Sequence, residues 1–211
     1  MRYVKTLGLA AVAVAAVMAF VGASSAAAAP TVLCKVAELP CAEANRYPTN
    51  TTITGESEGK AKLEGINAAG ETELTVECSS KTTLKNTAAS GEPLPGSVTA
   101  LSFTSCNNTC SVTVNGLPYT GSIAWTSGSN GTLTVKNASA TLTCAFGFVK
   151  CKVGAKEVKL TVDGGNPAKV LAVKVPMELE AQEAGKCPVK ALWTATYKAT
   201  GANTAVFVSH T

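Results

Sequence analysis

Histidine and aspartate are almost missing from this 211-residue sequence. It has one His, at 210, and 14 acidic residues of which only Asp163 is not glutamate. Asp-based calcium loops, and most ways of activating a water or a hydroxyl nucleophile, have nothing to draw on. A Ser-His-Asp triad would need His210, one residue from the end, and Asp163 in a glycine-rich turn, a poor catalytic platform because chain ends fray. The nucleophile elbow G-x-S-x-G and the metalloprotease motif HExxH are both absent. Charge is sparse at 15% and nets to +4, falling to +2 once Arg2 and Lys5 leave with a leader, far from a nucleic-acid footprint. After residue 30 no uninterrupted apolar run reaches spanning length, since Lys174 and Pro176 break the longest, Val170 to Met177. Helical periodicity is missing as well.

The first 29 residues read as a secretory signal peptide. Arg2 and Lys5 precede the uncharged apolar run Leu7 to Ala23, and Ser24 to Ala29 supplies small residues for cleavage after Ala27, Ala28 or Ala29. Cys34 follows Thr31, Val32 and Leu33, not the small residue a lipidated cysteine requires. Residues 30–211 remain as a single domain, secreted, with no membrane span after signal removal. Leu117-Pro118-Tyr119-Thr120-Gly121 matches the LPxTG sorting pattern, but no apolar segment with a basic tail follows it, so it reads as a turn leading into a strand. The sequons at Asn50, Asn107, Asn130 and Asn137 are what chance supplies in a chain so rich in Asn and Thr.

Eight cysteines lie beyond the leader, at 34, 41, 78, 106, 110, 144, 151 and 187, and an even number in an exported chain implies four disulfides. Zinc is disfavoured: no C-x₂-C knuckle is present and His210 is the one imidazole. No metal and no cofactor are expected. Proximity predicts Cys34 with Cys41, Cys106 with Cys110 and Cys144 with Cys151, and subtraction leaves Cys78 with Cys187. The chain-entropy model assigns about 2.5 kcal/mol to an eight-residue loop and about 4.8 to one of roughly 110 residues, so the long bridge carries most stabilisation.

Alternation of period two, filled by Thr and Val, recurs along nearly the whole chain. Leu74, Val76 and Cys78 face one way; Glu71, Glu73, Thr75 and Glu77 face the other. Leu101 and Phe103, Val112 and Val114, Ile123 and Trp125, Leu133 and Val135, Leu142 and Cys144, and Val158, Leu160 and Val162 form further inward sets. Turns separate them at Asn115-Gly116, Ser129-Asn130-Gly131 and Asp163-Gly164-Gly165-Asn166-Pro167. The pattern predicts an all-β, antiparallel sandwich of about a dozen short strands, with a closed or partly closed barrel as the alternative. One turn or two of helix is expected within Glu38 to Arg46, and Gly91 to Gly96 is expected to be the longest loop or linker.

Paired glutamates are the one catalytic material present: Glu178 with Glu180, or Glu71, Glu73 and Glu77, would serve glycoside hydrolysis if two faced each other across a cleft. Their alternation with apolar neighbours reads instead as solvated strand faces, with Lys81 and Lys85 on the next strand as partners. Lysines at 150, 152, 156, 159, 169, 174, 186, 190 and 198 make the C-terminal half basic, which suits an anionic surface or protects sheet edges. Trp125, Trp193 and Tyr197 fall on inward faces. Tyr47, Tyr119, Phe146 and Phe148 fall at turns and are the candidate ligand-binding residues, the two Phe inside a loop expected to be closed by Cys144 and Cys151.

Thr31-Val32-Leu33-Cys34-Lys35, Asn45-Arg46-Tyr47-Pro48, Val76-Glu77-Cys78, Leu101-Ser102-Phe103, Gly131-Thr132-Leu133-Thr134-Val135 and Trp193-Thr194-Ala195-Thr196-Tyr197 together resemble a family of exported, cysteine-containing all-β proteins of high-GC Gram-positive soil bacteria. The resemblance spans 31 to 198 and implies export, disulfides and an all-β fold. It carries over no functional residue. A noncatalytic binding or cell-surface module is the first functional expectation, with an extracellular glycan, wall polymer or protein as partner. A structural envelope component comes second and a Glu-based polymer hydrolase third.

Overall fold

The structure, a computed structural model, describes residues 29–202 and 205–211. The signal-peptide segment lies outside the described residues except for Ala29. Twelve strands follow one another: Thr31–Cys34 (β1), Thr52–Ser57 (β2), Ala61–Ile66 (β3), Thr72–Asn86 (β4), Leu94–Thr104 (β5) and Ser111–Asn115 (β6). The second half holds Tyr119–Ser127 (β7), Asn130–Cys144 (β8), Val149–Asp163 (β9), Ala168–Ala184 (β10), Lys190–Thr200 (β11) and Phe207–His210 (β12). Four of them run for 15 to 17 residues, longer than the short strands expected. The reason is that Thr72 to Asn86 continues as one strand across Cys78; Lys81 and Lys85 are therefore on the strand of Glu73 and Glu77, not on its neighbour. Lys81 pairs instead with Glu56 of β2, at 2.6 Å.

Every pairing is antiparallel. β1 and β12 form one ribbon, and ten strands form the other sheet in the order β10-β9-β8-β7-β5-β4-β2-β11-β3, with β6 on β8 and with β10 also meeting β11. The large sheet thus folds back over itself into a β-sandwich. Leu133 and Val135 of β8, Val158, Leu160 and Val162 of β9, and Tyr197 and Ala199 of β11 all bury in one cluster. All but Ala199 are inward positions that alternation marks, each larger aliphatic side chain contributing about 1.5–3 kcal/mol of burial. Leu94, expected in the longest loop, is instead a core residue at the start of β5. The helical expectation at Glu38 to Arg46 shrinks to a 3₁₀ turn, Glu43–Asn45.

The C-terminus is held, not frayed. β12 pairs with β1 from Thr31↔His210 to Cys34↔Phe207. His210 packs edge-on against Trp125 with centroids 4.6 Å apart, and Thr31 Oγ1 accepts the Trp125 backbone N–H at 2.9 Å.

All eight cysteines are bridged, but only Cys34–Cys41 is the expected pair; the others are Cys78–Cys106, Cys110–Cys144 and Cys151–Cys187. Strand register explains the correction. Ser111 lies opposite Thr143, so one step further brings Cys110 opposite Cys144. Ser79 lies opposite Thr104, so β5 ends one residue short of Cys78; Ser105 then turns through a left-handed conformation (φ 50°), and Cys106 bridges to Cys78. Cys144 faces Val149, and Cys151 faces Leu142. That diagonal offset separates side chains by roughly 7–8 Å, too far for Cβ atoms that a disulfide needs about 3.8 Å apart.

Tyr197 is a buried phenol. Burial pushes it up to about 12, against a hydrogen bond with Ser80 Oγ at 2.9 Å that lowers it. A raised acid favours the protonated folded form, so its contribution is complete below pH 10, the unfolded value, and is lost as pH rises towards 12. Urea titrations between pH 9 and 12 should show stability falling by about 2–3 kcal/mol, and Tyr197→Phe should flatten that slope; an unchanged slope in the variant would assign the alkaline loss elsewhere. Separations of 28 to 36 residues close loops worth about 3.6–3.8 kcal/mol, against about 2.5 for Cys34–Cys41. Non-reducing peptide mapping should recover the register-set pairs, and replacing both Cys151 and Cys187 by Ala should destabilise by about 1 kcal/mol more than replacing Cys34 and Cys41.

Candidate functional site

Antiparallel register gathers four connections at one end of the sandwich. The β5–β6 loop sits beside the β8–β9 loop because the start of β6 pairs with the end of β8. The β10–β11 loop joins them because Ala184 pairs with Lys150, and the β3–β4 loop follows because Ile66 pairs with Lys190. The three long-range disulfides all lie at this end, since Cys106, Cys110, Cys144, Cys151 and Cys187 lie in or border those connections.

The β8–β9 loop carries the feature most exposed to solvent. Phe146 is 89% and Phe148 77% accessible, the largest values among the exposed large hydrophobics. Ala145 and Phe146 both take left-handed backbone conformations, φ 49° and 57°, followed by Gly147 at 97°, and the Phe148 N–H closes the turn onto the Ala145 carbonyl at 3.2 Å. For L residues this conformation is disfavoured by roughly 1–2 kcal/mol each. A strained turn that holds two phenyl rings outward makes this hairpin the candidate contact site. The loop is not closed by its own disulfide. Its two stems are tied sideways, Cys144 to Cys110 and Cys151 to Cys187, which holds the tip while leaving its width free. Sequence reasoning missed the neighbours of this tip, which come from the distant β10–β11 connection. A Cβ on Gly185 (φ +64°) would strike the Phe148 carbonyl, and Lys150 pairs with Glu183 at 2.6 Å. No local signal marks these residues; only register brings them together.

Tyr47 and Tyr119, expected to share this surface, are core residues at 2% and 4% exposure. Tyr47 donates its phenol to the Ala205 carbonyl at 2.6 Å and leaves no room for a side chain at Gly201, whose Cβ would lie 2.6 Å from the hydroxyl. The Tyr119 hydroxyl stands 2.5 Å from the Asn115 carbonyl and 2.7 Å from that of Ser139, and accepts the Ser139 N–H at 3.2 Å. A turn position thus became a ring driven inward with its polar end satisfied by backbone. The LPxTG-like segment is locked as well: Thr120 and Gly121 are laddered to β5, and Gly121 also to Val135 of β8.

The glutamates do not converge. Glu71, Glu73, Glu178 and Glu180 are exposed, and Glu77 is half-buried on the face of β4 opposite Val76 and Cys78. Glu180 is engaged by Lys152 at 3.0 Å and by the Ser139 hydroxyl at 3.0 Å. Glu58 binds Lys198 and Lys169, which hold its carboxyl below the usual carboxylate value, the Lys198 hydrogen bond being the largest cause. Cys34, Glu38 and Cys41 come close enough to suggest a metal group, but both sulfurs are consumed in a disulfide and Glu38 accepts the Ala42 N–H at 2.7 Å. No described helix is long and apolar enough to cross a membrane.

No family model matches the chain, and neither a curated protein nor a solved structure shows significant similarity to it. The site therefore rests on geometry. Tyr47→Phe and Tyr119→Phe should each lower stability by about 1–2 kcal/mol by orphaning buried carbonyl partners. Phe146→Ala with Phe148→Ala should stay within about 0.5 kcal/mol of wild type, as exposed positions do. Chemical denaturation reads both, and a large loss in the Phe double variant would make the tip part of the core.

Proposed function

We propose that this is an exported, noncatalytic binding module whose contact is the Phe146–Phe148 tip and whose partner is an extracellular glycan or wall polymer. The carrying observation is the pair of outward phenyl rings on a left-handed turn, with both stems tied by disulfides to different neighbours. Four disulfides in a chain without a free cysteine among its described residues suit an oxidising compartment. Pre-set rings lose little entropy on binding and offer flat apolar faces to the C–H faces of sugars. The magnitudes set a scale: burying two phenyl rings yields about 3–5 kcal/mol, the range of a millimolar dissociation constant. Repetition along a polymer is what raises such a contact to useful avidity. Lys186 lies in the adjoining connection without an ion pair among the described residues, which favours a polymer bearing negative charge. The outward glutamates support a noncatalytic reading, since glycoside hydrolysis asks for two carboxyls about 5–9 Å apart across a cleft.

A glycan and wall-polymer array, with sedimentation onto insoluble cell wall, tests this reading. Wild type should bind, the Phe146→Ala, Phe148→Ala double variant should lose at least tenfold, and added salt should weaken binding further. Binding that the double variant retains in full would move the site off the tip.

A further inference from the structure

One side of the strand circuit is open. β5 is laddered to β4 as far as Thr104, but to β7 only from Leu94 to Val98. β6 is laddered to β8 alone. Thr99–Thr104 and Ser111–Asn115 are consecutive strands joined by a short loop, yet no ladder connects them. Disulfides on their outer flanks account for this: Cys106 fastens the end of β5 to β4, and Cys110 fastens the start of β6 to β8. The two arms of a hairpin are thereby held to opposite neighbours.

Behind the seam lies a cavity of about 70 Å³ whose wall includes Leu101, Phe103, Val112, Val114, Met177 and Trp193. A second, of about 50 Å³, shares Leu101, Tyr119, Ala138, Val158 and Trp193 with it. Leu101, Phe103, Val112 and Val114 are only half-buried although they sit on inward positions, because the seam admits solvent to them. Trp193 borders both spaces, and its indole N–H is buried with no acceptor among the described residues. Water is a poor occupant, since it needs two to four polar partners and these walls are nearly all apolar.

We propose that the β5–β6 seam is the mouth of a binding site for a small, mostly apolar molecule bearing one carbonyl acceptor, which the Trp193 indole N–H receives. Size selects the class. The two adjoining spaces come to about 70 and 50 Å³, together short of the roughly 150 Å³ that holds one benzene, so a ligand of six or seven heavy atoms fits only by extending into the open seam, and an acyl chain or a steroid is excluded. An inserted peptide strand is excluded on width: it needs about 9.6 Å between its neighbours, two strand spacings, whereas Cα atoms of β5 and β6 approach within 8 Å. The site is separate from the Phe146–Phe148 tip, and its failure or success leaves that reading untouched.

Methyl-resolved NMR titrations of the disulfide-intact protein with cyclohexanone and with benzene decide the matter. Both probes should shift Leu101, Val112 and Val114 methyls saturably at millimolar concentration, and cyclohexanone alone should move the Trp193 indole proton downfield. Trp193→Phe should weaken cyclohexanone about fivefold, the worth of one neutral hydrogen bond, and leave benzene within about twofold. Ala138→Leu, which fills the shared wall, should block both probes without lowering the melting temperature. If Trp193→Phe does not fold, the wild-type indole shift and the Ala138→Leu block carry the test. Shifts that do not saturate, shifts centred on Phe146 and Phe148, or equal effects of Trp193→Phe on both probes would overturn the proposal.

Discussion

Strand β8 is the constraint from which the rest of the molecule hangs. It is paired along its length on both edges, with β9 from Gly131 to Cys144 on one side and with β7 and then β6 on the other. Its register with β6 sets Cys110 opposite Cys144, and its register with β9 places Cys144 and Cys151 on a diagonal where they cannot bond each other. Slip that pairing by one residue and every inward valine turns to solvent while two disulfides lose their partners.

The disulfides then act as more than staples. Three of them lie at one end and each joins different strands, so loops that elsewhere on a sandwich are mobile are here held from the side. The same bridges have two consequences. They brace the stems of the Phe146–Phe148 turn, and they part β5 from β6. A braced exposed tip and an apolar cavity behind the β5–β6 seam both follow from where the chain is cross-linked, and the cavity is bordered by Trp193, whose buried indole N–H has no acceptor among the described residues.

Much of this was legible in the residues. Alternation located Val76, Cys78, Leu133, Val135, Val158, Leu160 and Val162 on inward faces, and they are buried. Phe146 and Phe148 read as turn residues and lie on a turn. Tyr47 and Tyr119 read as turn residues for the same reason and lie in the core, because a turn position says nothing of which way the next ring swings once a neighbouring segment offers a carbonyl to its hydroxyl. Leu101, Phe103, Val112 and Val114 alternate as well as any core strand does, yet stay half-buried. Their pattern was complete; the ladder between their strands was not.

By itself the sequence determined fold class, the oxidised state implied by eight paired cysteines, the turn sites, and which side of each strand faces inward. These are local properties, set by a side-chain period of two and by the backbone preferences of Gly and Asn. Tertiary structure alone decided which strands meet, and hence which cysteines bond, which tyrosines are buried and where the circuit stays open. Those outcomes depend on how strands pair across the sheet, and three of the four disulfides that follow from it join residues 28 to 36 apart, beyond the reach of any local pattern in the sequence.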